Sequence, residues 1–239
     1  MTTLFEPPLQ KLQFYATTAY QCGYLKDQRA QSLIAAPQHL ITTEVYSGLL
    51  LQGFRRSGKF AYRPHCEQCN ACIAVRVPVI TFTANRSQKR AFKQHNDLNV
   101  QLKPLAFSQA HFELYSAYQK ARHDVEHDEV KNLEEYRNFL TQSNIESYML
   151  EFTDRGQLKM VSVVDVVNDG ISAVYTFYDT TDKKASYGTY NVLWQLEWAK
   201  SLNLPFLYLG YWIAESPKMA YKQLFKPQQK LIDGEWLQI

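Results

Sequence analysis

Between Ser147 and Asp179 the chain places three strand-forming runs back to back, and this segment constrains the fold more than any other. The runs are Ser147 to Phe152, Leu158 to Val167 and Ile171 to Asp179. They are joined by Asp154-Arg155-Gly156 and Asn168-Asp169-Gly170. Asparagine, aspartate and glycine supply the backbone conformations that tight hairpin turns require, so the three runs are predicted to form an antiparallel meander. Two helical stretches precede it, residues 108–122 and 128–141, the second with Val130, Leu133, Tyr136 and Leu140 as an inward stripe. After it come a helix from Tyr190 to Ser201, an apolar strand from Phe206 to Leu209 and a short helix from Lys218 to Phe225.

Helices, meander, helix, strand, helix is the element order of an α/β (α+β) fold whose mixed sheet is of the acyltransferase (GNAT) type. Such sheets open a cleft where two middle strands splay apart. The coenzyme A-binding version carries a glycine-rich pyrophosphate loop between a strand and the next helix. Here that joint, residues 180–189, holds a single glycine, Gly188, so coenzyme A is not an expected donor.

The front of the chain has a different texture. Residues 1–100 carry a net charge of +7 and residues 101–239 a net charge of −4. We therefore expect a basic domain over 1–103, containing the cysteines, and an acyltransferase-like domain over 104–239. The densest basic run is Gly53 to Cys72, GFRRSGKFAYRPHCEQCNAC. Arg55, Arg56, Lys59, Arg63 and His65 are candidates to face an anion there. A helix is expected just before, from Thr42 or Thr43 to a stop at Gly53, with strands at Phe60 to Tyr62 and Cys72 to Val79. Pro78 marks the second as an edge strand or a strand end. A second helix over residues 84–95 sets Arg86 four residues from Arg90 and Lys89 four from Lys93. Two basic rows then share one broad side, fit for a nucleic-acid backbone.

The four cysteines, Cys22, Cys66, Cys69 and Cys72, are the one set that could ligate zinc or an iron–sulfur cluster. Leu25 stands where a second pair would need a cysteine, and the expectation is no metal, with reduced thiols packing a tight loop. Asp165 lies inside the apolar run Val161 to Val167, so it needs a partner or a raised pKa. It could orient or deprotonate an ammonium group. Behind the strand at 206–209, Tyr211, Lys218 and Tyr221 are further candidates for chemistry, with Lys222 on the same side of the short helix. No GxSxG, GxxxxGK[ST], HExxH or GxGxxG motif is present. No run of about 20 apolar residues could span a bilayer. The first 16 residues, with Glu6 and two prolines, do not read as a secretory signal, so a cytoplasmic protein is expected.

Taken together, several segments resemble the bacterial aspartate/glutamate leucyltransferases, the leucyl-tRNA–protein transferases related to arginyltransferase. They are Phe14-Tyr15, Cys22-Gly23-Tyr24-Leu25, Gly53 to Gly58, Tyr62 to Cys66 and Cys69 to Val79. The basic 86–93 helix, Tyr208 to Ile213, Ser216 to Lys222 and Phe225-Lys226-Pro227 extend the likeness over nearly the whole chain. The resemblance implies an aminoacyl-tRNA–protein transferase that moves leucine from leucyl-tRNA to the α-amine of proteins beginning with Asp or Glu, marking them for degradation (the N-end rule pathway). The donor is already an activated ester, so no cofactor is implied. Arginine transfer to the same acceptors, or a non-catalytic tRNA-binding role, are the alternatives. Within this scheme Arg55, Arg56, Arg63, His65 and Arg76 are expected at the acidic acceptor. Arg86, Lys89, Arg90 and Lys93 are expected at the tRNA, and Asp165, Tyr211, Lys218 and Tyr221 at the chemistry.

Overall fold

The computed structural model describes residues 11–123 and 129–239. The N-terminal residues read against a secretory signal, and the start of the second helix expected at 128, lie outside the described residues. In chain order the elements are β1 (Gln13–Ala16), β2 (Tyr20–Gln21), β3 (Arg29–Ala30), β4 (Ser32–Ala36), α1 (Thr43–Leu51), β5 (Arg55–Ser57), β6 (Phe60–Pro64), β7 (Ile73–Pro78), α2 (Arg86–Gln94) and β8 (Asn99–Pro104). The second half adds α3 (Gln109–His123), α4 (Glu129–Leu140), β9 (Ser147–Asp154), β10 (Gln157–Val167), β11 (Gly170–Tyr178), α5 (Tyr187–Ser201) and β12 (Phe206–Trp212). A 3-10 helix, Pro217–Leu224, follows, and then β13 (Gln229–Ile232) and β14 (Glu235–Gln238).

The expected meander is present as β9, β10 and β11, antiparallel throughout. It supplies three adjoining strands of an eight-stranded mixed sheet in the order β14-β13-β7-β12-β11-β10-β9-β8. Two strands of that sheet, β7 and β8, come from the segment expected to form the first domain, so the change of charge near residue 103 is not a change of sheet. β7 lies between β13 and β12, with Val75 and Val77 both in the main core. Pro78 is its last residue, where a missing N–H is tolerated.

The sheet is covered on both faces. On one, Leu150, Phe152, Met160 and Val164 pack against Tyr190, Leu193 and Leu196 of α5, with Phe92 of α2 beside them. On the other, Met149, Val161, Val163 and Phe177 pack against Tyr115 of α3 and Tyr136 and Leu140 of α4. Strand alternation sends neighbouring residues of β9 and β10 to opposite cores, and both must be apolar, which is why this meander reads as nearly continuous hydrophobic runs. Among the described residues no helix is long and apolar enough to cross a membrane.

A smaller antiparallel sheet, β1-β4-β6-β5, closes over a third core built from Tyr46, Leu49, Leu50 and Phe54 with Val167 and Tyr208. α1 begins at Thr42, whose hydroxyl accepts from the Val45 amide at 3.4 Å. At the β5–β6 turn Gly58 has φ +58°, and an added Cβ would sit 2.2 Å from the carbonyl oxygen of Asn138. Backbone meets backbone there, and only glycine fits.

Candidate active site

The large sheet contains one parallel pair, β11 with β12, and that pair comes apart after three positions. Gly170, Ile171 and Ser172 face Phe206, Leu207 and Tyr208. Beyond them β12 continues only along β7, after a bulge between Tyr208 and Gly210. β11 continues only along β10, after its own bulge. The result is a fork, the strand-splay cleft expected from the element order.

Arg55 enters this fork from β5. Its Nη1 donates to Ser172 Oγ at 3.0 Å and its Nη2 to the carbonyl of Ala173. The guanidinium lies against Gly210, where φ is +78° and a Cβ would come within 3.0 Å of Nε. Arg55 is buried, yet both acceptors are neutral. Among the described residues it has no carboxylate within ion-pair distance.

A second buried cation sits close by. Lys222, in the 3-10 helix, donates from Nζ to the carbonyl of Tyr211 at 2.5 Å and keeps 8% of its surface. Burial, and secondarily the charge of Arg55, lowers its pKa to about 7. The charge of Arg55 also reaches the hydroxyls of Tyr24, Tyr62, Tyr211 and Tyr221. Tyr221 leaves 42% of its surface exposed, and burial around its hydroxyl pushes that group up to about 12. Tyr118 packs edge-on against Tyr178 at 4.9 Å, and Arg122 Nη2 donates to Tyr178 Oη at 2.9 Å. The fork is therefore positive at its vertex and lined with phenols toward its mouth.

Several expected site residues have other work. Arg56 and Asp165 hold each other: Nη2 lies 2.7 Å from Oδ1 and Nε 2.9 Å from Oδ2. Ser147 Oγ adds a 2.6 Å bond to the carboxylate, and Arg56 Nη1 donates to the carbonyls of Gly58 and Gln142. Asp165 is fully buried and Arg56 nearly so. This corrects both assignments, because neither group can meet a substrate without breaking the pair. Tyr211 gives its hydroxyl to the carbonyl of Gly53 at 2.6 Å and so ties β12 to the turn after α1. Arg76 donates to Gln229 Oε1 at 2.7 Å and to Tyr208 Oη at 3.0 Å, between the rings of Phe206 and Trp236. It joins β7, β12 and β13 and is not at the fork. Arg63 lies over Phe54 and donates to the carbonyl of Gln52, while His65 is exposed at the end of β6. Lys218 is exposed on the first turn after Ser216.

Sequence reasoning named Arg55 and Tyr221 but gave no role to Lys222, Tyr178 or Tyr118. The available signal was Lys222 itself, a lysine within the apolar pattern of the 3-10 segment, one residue from Tyr221.

The four thiols share one neighbourhood. Burial, then the proximity of Cys66, Cys22 and Cys69, pushes the Cys72 thiol up to about 12. The β2–β3 loop and the β6–β7 loop meet there, with Cys66 Sγ donating to the carbonyl of Gln31. Among the described residues no set of three or more His, Cys, Asp or Glu is arranged to hold a metal ion.

Helix α2 carries Arg86, Lys89, Arg90 and Lys93 outward, all exposed, and turns Gln88 and Ala91 inward. Asn85 and Gln88 form a complete capping box at its start.

The family model described as "Arginine-tRNA-protein transferase, N terminus" matches residues 20–90, and its C-terminal counterpart matches residues 110–232. This chain belongs to the arginine-tRNA-protein transferase family. It is 68% identical to the aspartate/glutamate leucyltransferase of Methylobacillus flagellatus over 99% of this chain and 95% of that protein. It is 49% identical to the enzymes of the same name from Polynucleobacter necessarius, over 99% of this chain and 96% of that one, and Thiobacillus denitrificans, over 97% and 96%. Among solved structures, L-PGS from Bacillus licheniformis aligns over 60% of this chain and 47% of its own at 11% identity, with a TM-score of 0.43. The family and these relatives make the chain an aminoacyl-tRNA–protein transferase.

Proposed function

We propose that the protein transfers leucine from leucyl-tRNA to the N-terminal α-amine of proteins that begin with aspartate or glutamate. The observation that carries this reading is the 68% identity to a leucyltransferase across 99% of the chain. The fork supplies a physical reason for acidic acceptors. Arg55 is buried with no carboxylate in ion-pair distance among the described residues, and a carboxylate brought by the acceptor neutralises what the fold leaves uncompensated. Two of the five N–H donors of Arg55 are engaged, which leaves donors for an incoming side chain.

The ester of leucyl-tRNA is already activated, so the protein has to align it with the amine and handle one proton. The acceptor ammonium has a reference pKa of about 7.7–8.0 and loses its proton readily near neutrality. Lys222, held near pKa 7 by burial and Arg55, is the group in the fork matched to receive it. The amine attacks the ester carbonyl, the bond to the ribose oxygen of the terminal adenosine breaks, and the second proton leaving the nitrogen passes to that oxygen to give the free ribose hydroxyl. Tyr221 and Tyr178 at the mouth of the fork orient the ester and that ribose. Products marked in this way enter regulated degradation, and the protein works in the cytoplasm.

The test uses purified protein, leucyl-tRNA and arginyl-tRNA in parallel, and peptides that differ only in their first residue. Leucine on Asp- and Glu-peptides, with little on Lys-peptides, is the expected product. Transfer of arginine in preference to leucine would replace the donor, and no transfer of either would remove the enzymatic reading.

A further inference from the structure

Away from the fork, a cavity of about 500 Å³ lies between α2 and α5. Its lining is Phe82, Thr83 and Ala84 before α2, Lys89, Phe92 and Lys93 on α2, Asn96 after it, and Leu193 and Glu197 on α5. The volume falls in the usual range for a small-ligand site of about 300–1,000 Å³. Two aromatic walls are braced from behind: Phe92 packs 5.5 Å from Tyr190 and Phe82 6.2 Å from Phe225. The rings are thus fixed before any ligand arrives. Lys89 and Lys93 rim the groove, exposed, four residues apart, and in no ion pair among the described residues. Arg86 and Arg90 extend the same face, and α2 contains no acidic residue. Asn96, Thr83 and Glu197 offer hydrogen-bonding groups at the edge of the groove.

We infer that this groove receives an unpaired nucleotide of the tRNA 3′ strand, its base against Phe82 and Phe92 and its phosphates on Lys89 and Lys93. The chemistry is that of single-stranded nucleic-acid sites, where a basic track follows the backbone and fixed aromatic rings stack bases. A duplex cannot use the aromatic walls, and an acidic peptide has no planar group for them. Position supports the same occupant. His95, at the end of α2, stacks on Tyr187 at 4.5 Å, and Tyr187 lies 5.9 Å from Tyr178 at the fork. A chain of ring contacts across the start of α5 thus joins the end of α2 to the fork, which places the groove on the same side of α5 as the site proposed for the ester. Glu197 can accept from a base amine or a ribose hydroxyl, which gives the groove a means of preferring one base.

This inference rests on the reading of the protein as a tRNA-dependent transferase. Its test measures binding of an uncharged leucine tRNA and of the same tRNA trimmed of its unpaired 3′ nucleotides, at several salt concentrations. Thr83→Trp and Asn96→Trp fill the groove from two exposed positions. Each should weaken the intact tRNA about ten-fold or more, on the scale of one lost base stack, and leave the trimmed tRNA unchanged. Lys89→Ala with Lys93→Ala should weaken the intact tRNA, lower its salt slope by about 1.4–1.8, the value for two phosphates, and leave the trimmed tRNA unchanged. If both tryptophan variants keep the wild-type ratio of intact to trimmed binding, the groove is not a base site. If the double lysine variant keeps the wild-type salt slope, the phosphate contacts are elsewhere. Leucine transfer assayed on the same proteins separates the two readings. Wild-type turnover with unaltered tryptophan variants defeats the groove alone, whereas absent turnover with the predicted binding pattern defeats the enzyme reading and leaves the groove standing.

Discussion

Arg55 and Arg56 are neighbours on one short strand, and the sheet gives them opposite fates. Strand alternation turns Arg56 into a junction where Asp165, Ser147 and two carbonyls satisfy it. It turns Arg55 into a fork where a hydroxyl and a carbonyl meet a full charge, with Lys222 near by. One buried arginine is closed and the other is open to an anion. The lesson is that burial of a cation says little about its role until its counter-charge is located. A neutralised guanidinium holds structure, whereas one with no carboxylate among the described residues is the one we propose for the acceptor.

The largest effect should come from breaking the closed side. Asp165→Ala leaves Arg56 buried without its partner, and loss of one member of a buried pair costs about 3–5 kcal/mol. Chemical denaturation should read that loss, while the KM for an Asp-peptide, measured on the folded fraction, stays near wild type. A selective rise in KM without loss of stability would move Asp165 from the junction to the substrate. On the open side, Lys222→Met should lower leucine transfer about 10²–10⁴-fold, the usual contribution of a positioned proton acceptor. Wild-type kcat/KM should rise through pH 7 as Lys222 becomes neutral, and the variant should lack that limb. A rising limb retained in the variant would assign it to the acceptor amine.

Much of this arrangement was legible in the sequence, for reasons that can be named. The meander could be read because β9, β10 and β11 are buried on both faces and joined by turn residues. The splayed cleft followed from element order. Strands β1 and β4 escaped notice because they form an outlying sheet: every residue of β1 is exposed, which leaves no clean two-residue period. β8 was missed for the same reason, with four of its six residues exposed. At the site, the need of Asp165 for a partner was visible from its apolar run. That the partner is Arg56 and not Arg55 depends on the register that pairs Arg55 with Tyr62 and Arg56 with Ala61. No charge count distinguishes two adjacent arginines. Lys222 was legible as a position but not as a depth, since its surroundings are set by the fold, with Nζ on the Tyr211 carbonyl and the charge of Arg55, distant in the chain, close by.

Stability against pH gives a finer probe of the same contrast. The folded pKa of Lys222, about 7, lies below its ordinary value of 10.5. Between those two values the unfolded chain binds a proton that the folded chain does not, so stability from this group rises with pH. It is lost as pH falls toward 7, and below that the penalty is constant. The slope cannot exceed about 1.4 kcal/mol per pH unit for one proton. Wild type minus Lys222→Met, followed by denaturation from pH 7 to 10, should show that rise, and a flat difference would mean that the fork leaves Lys222 charged.

The smallest expected effect tests where the open region ends. Gly210 lies against the Arg55 guanidinium with φ +78°, so Gly210→Ala adds backbone strain of about 1–3 kcal/mol and presses on the guanidinium. Arg63, only over Phe54 and bonded to a carbonyl, has no such coupling. Arg63→Ala should change stability by less than about 0.5 kcal/mol, as surface substitutions do. The ratio of Asp-peptide to Lys-peptide transfer should fall in Gly210→Ala and hold in Arg63→Ala. If the ratio falls in both, the acceptor carboxylate is read along β6 as well as at the fork, and the boundary between open and closed regions moves out to the small sheet.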